Sequence, residues 1–354
     1  MVNKPKILVV KLASLGDILQ TTPLIRLLAS KYDVYYLTFS QHAPLLKDNP
    51  HILGLFTFLD KSNLTAMLHN VVALIKIFFL QPQISINLHK IYALNYIFKL
   101  MGISKRLGII REKDKRHHLT HPQVFNLEQH HIKQYLSFAS ILELNTSDYS
   151  MEYFPGNYQS LSNPSITANI PSPYVVICAG GGKNKWANML NKRWPEASYI
   201  SLGKSLISKG YNLVLVGNHD DTQIHHNIAN SIGSNVFDVT NKTSLNELFL
   251  IIKSALFYIG NDSFLLHFAS TTKTQTLGLF GPTSAKLLAP LGASDGYIQS
   301  QTSCSPCYEA NLGLDAQAYK CQKNLCMQNL EIETVTMKIS PLSTQSRNVT
   351  FCAK

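Results

Sequence analysis

The chain of 354 residues has no long uninterrupted apolar run. Its longest apolar stretch, Leu64–Leu80, is broken by His69, Asn70 and Lys76. A spanning helix needs about 20 apolar residues, so the stretch reads as a core helix, with an interfacial helix as the lesser alternative. The start, MVNKPKILVVKLASLGD, is charged and then strand-like, and its apolar run is too short for a secretory signal. A cytoplasmic protein is therefore expected. Its six cysteines then argue against a disulfide framework. Charge is also sparse, at 15% of residues, and acid is the scarcer sign. With 45% hydrophobic residues and a net charge of +11, this is a globular protein with a basic bias, not a disordered polycation.

Nucleotide signatures of the common kinds are missing too. No glycine turn fits GxGxxG with an acid about 20 residues on, which argues against a nicotinamide-dependent oxidoreductase. There is no Walker A sequence and no DxD motif. The basic run Arg111–His118 holds no aromatic residue, which argues against nucleic acid as a partner. As a charge run it reads first as a solvated loop, and otherwise as a phosphate grip. The basic bias is uneven. Residues 1–165 hold 17 Lys and Arg against 10 Asp and Glu, a net of +7; the rest hold 15 against 11, a net of +4. Such a first half suits an anionic partner.

What is present alternates between strand and helix. Ile7–Val10, Asp33–Phe39, Leu53–Phe58, Ile84–Leu88 and Arg106–Ile110 read as buried strands. Ile18–Ser30, with a kink at Pro23, Leu64–Leu80, Ile91–Met101 and Ile132–Leu144 read as helices. Pro155–Pro173 is rich in Pro, Ser and Asn and reads as a linker. The pattern then restarts with strand Tyr174–Cys178, a helix from Pro195 closed by Gly210, strand Leu213–Val216, a capping box at Ser244–Glu247, and strands Ala255–Ile259 and Thr276–Phe280. The expectation is an α/β protein with two doubly wound domains: residues 1–160, a linker at 161–173, residues 174–335, and a tail at 336–354.

Four clusters carry candidate chemistry. Ser14-Leu15-Gly16-Asp17 places a glycine and an acid at a strand-to-helix turn, where Asp17 can act as a general base or simply stabilise the helix. Gly180-Gly181-Gly182-Lys183-Asn184-Lys185 can form an anion nest. Lys192 and Arg193 precede a Pro-initiated helix, an arrangement that a bound diphosphate would relieve. Asn261-Asp262-Ser263, His267 and Thr283 gather at two adjacent strand ends, where open sheets bind ligands. A fifth cluster, Cys304, Cys307, Cys321 and Cys326, has roughly the spacing of a structural zinc loop, with reduced thiols as the alternative. Cys178 reads as core and Cys352 as tail.

These blocks together resemble glycosyltransferase family 9, the ADP-heptose:lipopolysaccharide heptosyltransferases and their relatives. The resemblance rests on KILVVKLASLGDILQTTPLIRLL (6–28), NKRWPEASYISLGKSL (191–206), KTSLNELFLIIKSALFYIGNDSFLLHFAS (242–270) and LFGPTSAKLLAPLG (279–292). It implies a GT-B fold, two Rossmann-like domains facing across a cleft, with the acceptor on the N-terminal domain and the donor on the C-terminal one. It implies an inverting, metal-independent transfer of a sugar, heptose from ADP-heptose, onto a lipopolysaccharide core or another surface glycan. Asp17 matches the proposed base, and Lys192 the lysine that neutralises the diphosphate. Asp262, Ser263 and His267 match the donor block, with Thr283 close by and Ser14 and Gly16 at the first turn. The expected partners are a nucleotide diphosphate sugar and an anionic glycolipid, with peripheral contact at the inner face of the inner membrane. No cofactor is implied for catalysis; the zinc that the cysteine spacing allows, against reduced thiols, would be structural only. The alternative is a noncatalytic sugar-nucleotide or glycan binding protein of the same fold. Two positions depart from the family: Phe264 stands where it has glycine, and Thr274 where it has proline. Phe264 either occupies a backbone geometry that suits glycine or narrows the sugar pocket.

Overall fold

The computed structural model describes residues 4–111, 117–156, 170–183, 188–308 and 321–345. The chain divides into two compact units, Met1–Phe154 and Pro155–Lys354. Each is built on one six-stranded sheet in which every strand pairs in parallel.

The first sheet contains β1 (Lys6–Val10), β2 (Asp33–Phe39), β3 (Gly54–Phe58), β4 (Ile84–Asn87), β5 (Lys105–Ile110) and β6 (His121–Val124), in the order β3-β2-β1-β4-β5-β6. Ile7, Leu8, Val9 and Val10 are fully buried, as a central parallel strand covered on both faces requires. The second sheet contains β7 (Tyr174–Cys178), β8 (Asn212–Leu215), β9 (Val236–Asp238), β10 (Phe257–Asn261), β11 (Gln275–Phe280) and β12 (Asp295–Gln299), in the order β12-β11-β10-β7-β8-β9. Both orders are the doubly wound one, with the first strand beside the fourth. Chain direction across the sheet reverses at β1/β4 and at β7/β10, which are the switch points where such sheets bind ligands.

Several local readings change. The helix expected over Ile18–Ser30 is two helices, α1 (Leu15–Leu19) and α2 (Thr22–Ala29), with Pro23 in the first turn of α2. The hydroxyls of Thr21 and Thr22 donate to the carbonyls of Ile18 and Leu19, both at 2.7 Å, and so terminate α1 before the proline. Strand β6 was not foreseen; it includes Pro122, which the edge of a sheet tolerates. The Leu64–Leu80 segment forms α3 at the expected bounds, but it is not a core helix. Only Ala66, Ala73 and Ile77 of it are buried. Helix α4 (Tyr92–Leu100) and helix α5 (His131–Ser140) complete the first unit.

In the second unit, α6 (Glu196–Ser208) begins after Pro195, its N-cap, and is followed by Gly210 at φ +87°. Helix α7 (Thr222–Ile232) was not foreseen. Helix α8 (Leu245–Lys253) opens on the expected capping box: the Glu247 amide donates to Ser244 Oγ and the Ser244 amide to the Glu247 carboxylate. Helix α9 (Phe264–Ser270) follows β10, which runs two residues further than expected and so takes in Asn261. Helices α10 (Ala285–Leu288), α11 (Leu325–Gln328) and α12 (Ile332–Gln345) follow. Trp194, Tyr199, Phe257, Ile259, Leu277 and Met327 lie in one buried core. Most of the expected linker (157–169), the middle of the basic run (112–116), Asn184, Lys185 and Cys352 lie outside the described residues.

Candidate functional site

In the second unit, the site is organised by Asn261, the last residue of β10. Its side chain is buried and uses all its bonding capacity. The amide group donates to the carbonyls of Ala179 and Gly180 at 3.0 and 2.9 Å; the oxygen accepts from the Trp194 amide and the Tyr199 hydroxyl, both at 2.9 Å. One residue thus ties the glycine turn after β7 to the loop that carries Lys192.

Asp262 follows directly. Its carboxylate meets the Lys192 ammonium at 2.7 Å, with side-chain exposures of 6% for the acid and 18% for the lysine. Burial acts to raise the Asp262 carboxyl. The charges of Lys192 and His267, with the Thr283 hydroxyl against the carboxylate, outweigh it and hold the group below its ordinary range. His267 and Thr283 are themselves buried, on α9 and in the turn after β11. The structure therefore brings Lys192, Asp262, His267 and Thr283 together. Ser263 is the N-cap of α9, but its side chain makes no capping bond. The Lys192 ammonium also lies 6.0 Å from the Tyr308 ring centre.

The glycine turn is not an anion nest awaiting a ligand. Gly181 and Gly182 have φ of +91° and +79°, and a Cβ on Gly181 would meet Ser263 at 2.6 Å. The turn instead wraps the protein's own carboxylate. Asp221, buried at the head of α7, accepts from the Gly181 amide at 2.9 Å and from Arg193 at 2.9 Å, and Arg193 donates on to the Gly181 carbonyl at 2.8 Å. His225 adds a ring nitrogen that accepts from the Ala179 amide at 3.1 Å. Burial pushes the His225 pKa down to about 4, so it sits neutral as an acceptor. The two cations before α6 therefore already have anions, Asp262 for Lys192 and Asp221 for Arg193. Asp221 and His225 were missed because a turn partner 40 residues away leaves no local pattern; the signal present was the Asn218–Asp221 capping box.

In the first unit, Asp17 stands in α1 after β1, one third exposed, with its carboxylate 2.9 Å from the Lys11 ammonium. Lys11 is buried against Tyr135, with the ring centre 5.6 Å from Nζ. Burial works against its charge, but Asp17 and Tyr135 together keep its pKa above the ordinary lysine value. His89, just after β4, and His131, at the start of α5, face the same charges. Burial, with Lys11 adding to it, pushes both down to about 4 despite Asp17. Ser14 is exposed and Gly16 buried at the same turn. Lys11, His89, His131 and Tyr135 were not singled out from sequence, because they come from three segments far apart in the chain.

Phe264 occupies the first position of α9, and its φ is not positive. The glycine geometry is therefore not required there. Its ring is half-buried and packs on Phe268 at 5.5 Å. Among the described residues no group of three or more His, Cys, Asp or Glu side chains is arranged to hold a metal ion. The zinc loop suggested by Cys304, Cys307, Cys321 and Cys326 thus finds no support. The cysteines are near enough to raise one another's pKa: Cys307 and Cys326 are both pushed up, first by burial and then by the other thiols.

Residues 84–315 match "Glycosyltransferase family 9 (heptosyltransferase)", well over half of the chain. The chain belongs to glycosyltransferase family 9. Within the family, it is 31% identical to lipopolysaccharide heptosyltransferase 2 of Salmonella typhimurium over 46% of this chain and 45% of that protein. It is 25% identical to lipopolysaccharide heptosyltransferase 3 of Escherichia coli over 76% and 81%. The chain spans less than half the length of the first curated relatives it matches. Solved family 9 structures share the fold. That of a Veillonella parvula glycosyl transferase superposes with a TM-score of 0.81 at 17% identity, covering 98% and 99% of the two chains. An E. coli heptosyltransferase solved with ADP superposes at 0.68 and 14%, covering 95% and 99%. The chain thus has the GT-B architecture of two Rossmann-like domains. The cluster around Lys192 and Asp262 lies inside the matched span, whereas Asp17 lies before it.

Proposed function

We propose that this protein is an inverting, metal-independent glycosyltransferase that moves heptose from ADP-heptose onto the lipopolysaccharide core. The observation that carries the reading is the Lys192–Asp262 pair at the end of β10, within the span that matches the family. A relative solved with ADP supports an adenine nucleotide diphosphate as donor.

The chemistry needs two things from the protein. It must take a proton from an acceptor hydroxyl, and it must stabilise negative charge on the departing diphosphate. The acceptor oxygen attacks the anomeric carbon from the face opposite the diphosphate. The new C–O bond forms as the bond to the diphosphate breaks, so the configuration inverts. The proton passes to Asp17, whose carboxylate Lys11 holds at 2.9 Å. Lys192 has three N–H donors, and Asp262 takes one at 2.7 Å. The others can meet phosphate oxygens, which makes Lys192 the counter-charge where other enzymes use a metal. Asp262 orients that ammonium, and Ser263, His267 and Thr283 form the rest of the donor pocket. Residues 1–160, with Ser14 and Gly16 at the first turn, take the acceptor, and residues 174–335 take the donor. The net +7 of the first half suits a phosphorylated glycolipid. The reaction then runs on the cytoplasmic side of the inner membrane.

The test is to mix the full chain with ADP-heptose and a heptose-deficient core acceptor in a chelator. ADP release with a product heavier by one heptose, its anomeric configuration inverted by NMR, meets the proposal. Donor binding with no transfer to any core acceptor would instead mean a binding protein that has kept the fold.

A further inference from the structure

Helix α3 is turned inside out relative to an ordinary surface helix. Its buried face is Ala66, Ala73 and Ile77, three residues of mostly small volume. Its large apolar residues point away: Leu64, Leu68, Val71, Ile75, Phe78 and Phe79 are between 45% and 76% exposed, and Met67 and Val72 are 57% and 48% exposed. At about 100° per residue these eight fall within one arc of roughly 140°, opposite the buried face. The stripe runs the full helix, about 25 Å at 1.5 Å per residue. A patch of this extent exceeds what a soluble monomer ordinarily leaves in water. No helix among the described residues is long and apolar enough to cross a membrane.

We infer that the outer face of α3 is a docking surface for an anionic phospholipid bilayer, on which the helix lies flat. The inference rests on the reading of the acceptor as a membrane glycolipid and names the surface that brings the enzyme to it. Charge selects the bilayer over a second copy of the chain. The segment Lys61–Leu80 carries Lys61 and Lys76 and no acid. A second copy laid on the stripe would bring two pairs of lysines against the single carboxylate of Asp60 on each copy, on a half of the chain that is net +7. An anionic headgroup layer answers both lysines while the apolar arc enters the acyl boundary, the arrangement of an interfacial amphipathic helix.

The test is flotation of the full chain with vesicles of phosphatidylethanolamine containing one quarter phosphatidylglycerol, beside vesicles of phosphatidylcholine alone. The variants are Leu68→Ser/Val72→Ser/Phe79→Ser, all at exposed positions, and Lys61→Gln/Lys76→Gln. Urea unfolding of the full chain, with a first-unit transition at the wild-type midpoint, checks that each variant is folded. The wild type should float with the anionic vesicles and less with the neutral ones. The triple variant should lose about tenfold or more of that binding, and the double variant should lose the difference between the two lipids. Transfer to a water-soluble truncated acceptor should be unchanged in both. Wild type that stays with neither vesicle, or a triple variant that floats as well as wild type, overturns the surface. So does a wild-type dimer that the triple variant converts to monomer without any lipid binding. Flotation without turnover would count against the catalytic reading and leave the surface standing; turnover without flotation would do the reverse.

Discussion

Replacing Lys192 with Gln removes the counter-charge of a carboxylate that is 6% exposed. Breaking a fully buried ion pair from one side costs about 3–5 kcal/mol. The lysine keeps 18% of its surface in water, so the expected loss at about pH 7 is near the lower end, about 3 kcal/mol. The pH dependence has a definite sign. In the wild type the folded Asp262 pKa is lowered. Its contribution is present above the unfolded value, about 3.9, and is lost as pH falls through the folded one. In Lys192→Gln, burial dominates and raises the Asp262 pKa, so the folded form takes up a proton before the unfolded form does. The variant's deficit should therefore shrink as pH falls, by up to about 1.4 kcal/mol per pH unit. Urea unfolding of both proteins at about pH 7 and about pH 5 measures the difference directly. Asp262→Asn in the same background should recover most of the loss at neutral pH. An equal deficit at both pH values, or a double variant as unstable as the sum of the singles, would refute the argument.

Other outcomes follow from the same geometry. His89, His131 and His225 are each pushed down to about 4, below the unfolded value near 6.5. Between about pH 6.5 and pH 4 the unfolded chain binds more protons, so stability falls with acid, by up to about 1.4 kcal/mol per pH unit for each histidine; a urea midpoint that does not move over that window would contradict this. Asp221→Ala leaves Arg193 and the Gly181 amide without their shared acceptor, and should lower stability by about 3 kcal/mol and weaken ADP binding with it; isothermal titration and urea melts read the two together, and ADP binding unaffected would separate the turn from the donor site. Phe264→Gly should cost about 1 kcal/mol of helix stability and change the ratio of kcat/KM between ADP-heptose and another ADP-sugar; an unchanged ratio removes Phe264 from donor selection.

Much of the fold was legible because central parallel strands are continuous apolar runs. Lys6–Val10, Asp33–Phe39 and Tyr174–Cys178 stand out for that reason. The edge strand Gly54–Phe58 was legible too, being mostly apolar, but two other edges were not: His121–Val124 carries a proline and two polar residues, and Asp295–Gln299 an acid and a glycine. The bounds of α3 were legible but its facing was not. Hydropathy counts apolar residues, and only the burial of Ala66, Ala73 and Ile77, the last two in one core with sheet residues, shows that the large ones point outward. In the site, the residues visible in the sequence were those in blocks at strand ends: Asp17, Asp262, Ser263, His267 and Thr283. Their partners were visible only in part. Lys192 had a family block around it, while Lys11, Asp221 and His225 gain their roles from burial and from strand order. The cysteine spacing finds no support among the described residues, because a CxxC pair sets distances along the chain and not the convergence of four sulfurs.

The most direct measurement of the central claim is the turnover of Asp17→Asn. The substitution keeps size and hydrogen bonding and removes the carboxylate that Lys11 holds. ADP release from ADP-heptose with a core acceptor should fall at least about 100-fold, while the affinity for ADP-heptose stays that of the wild type. Turnover within about threefold of wild type would contradict Asp17 as the base and the mechanism built on it.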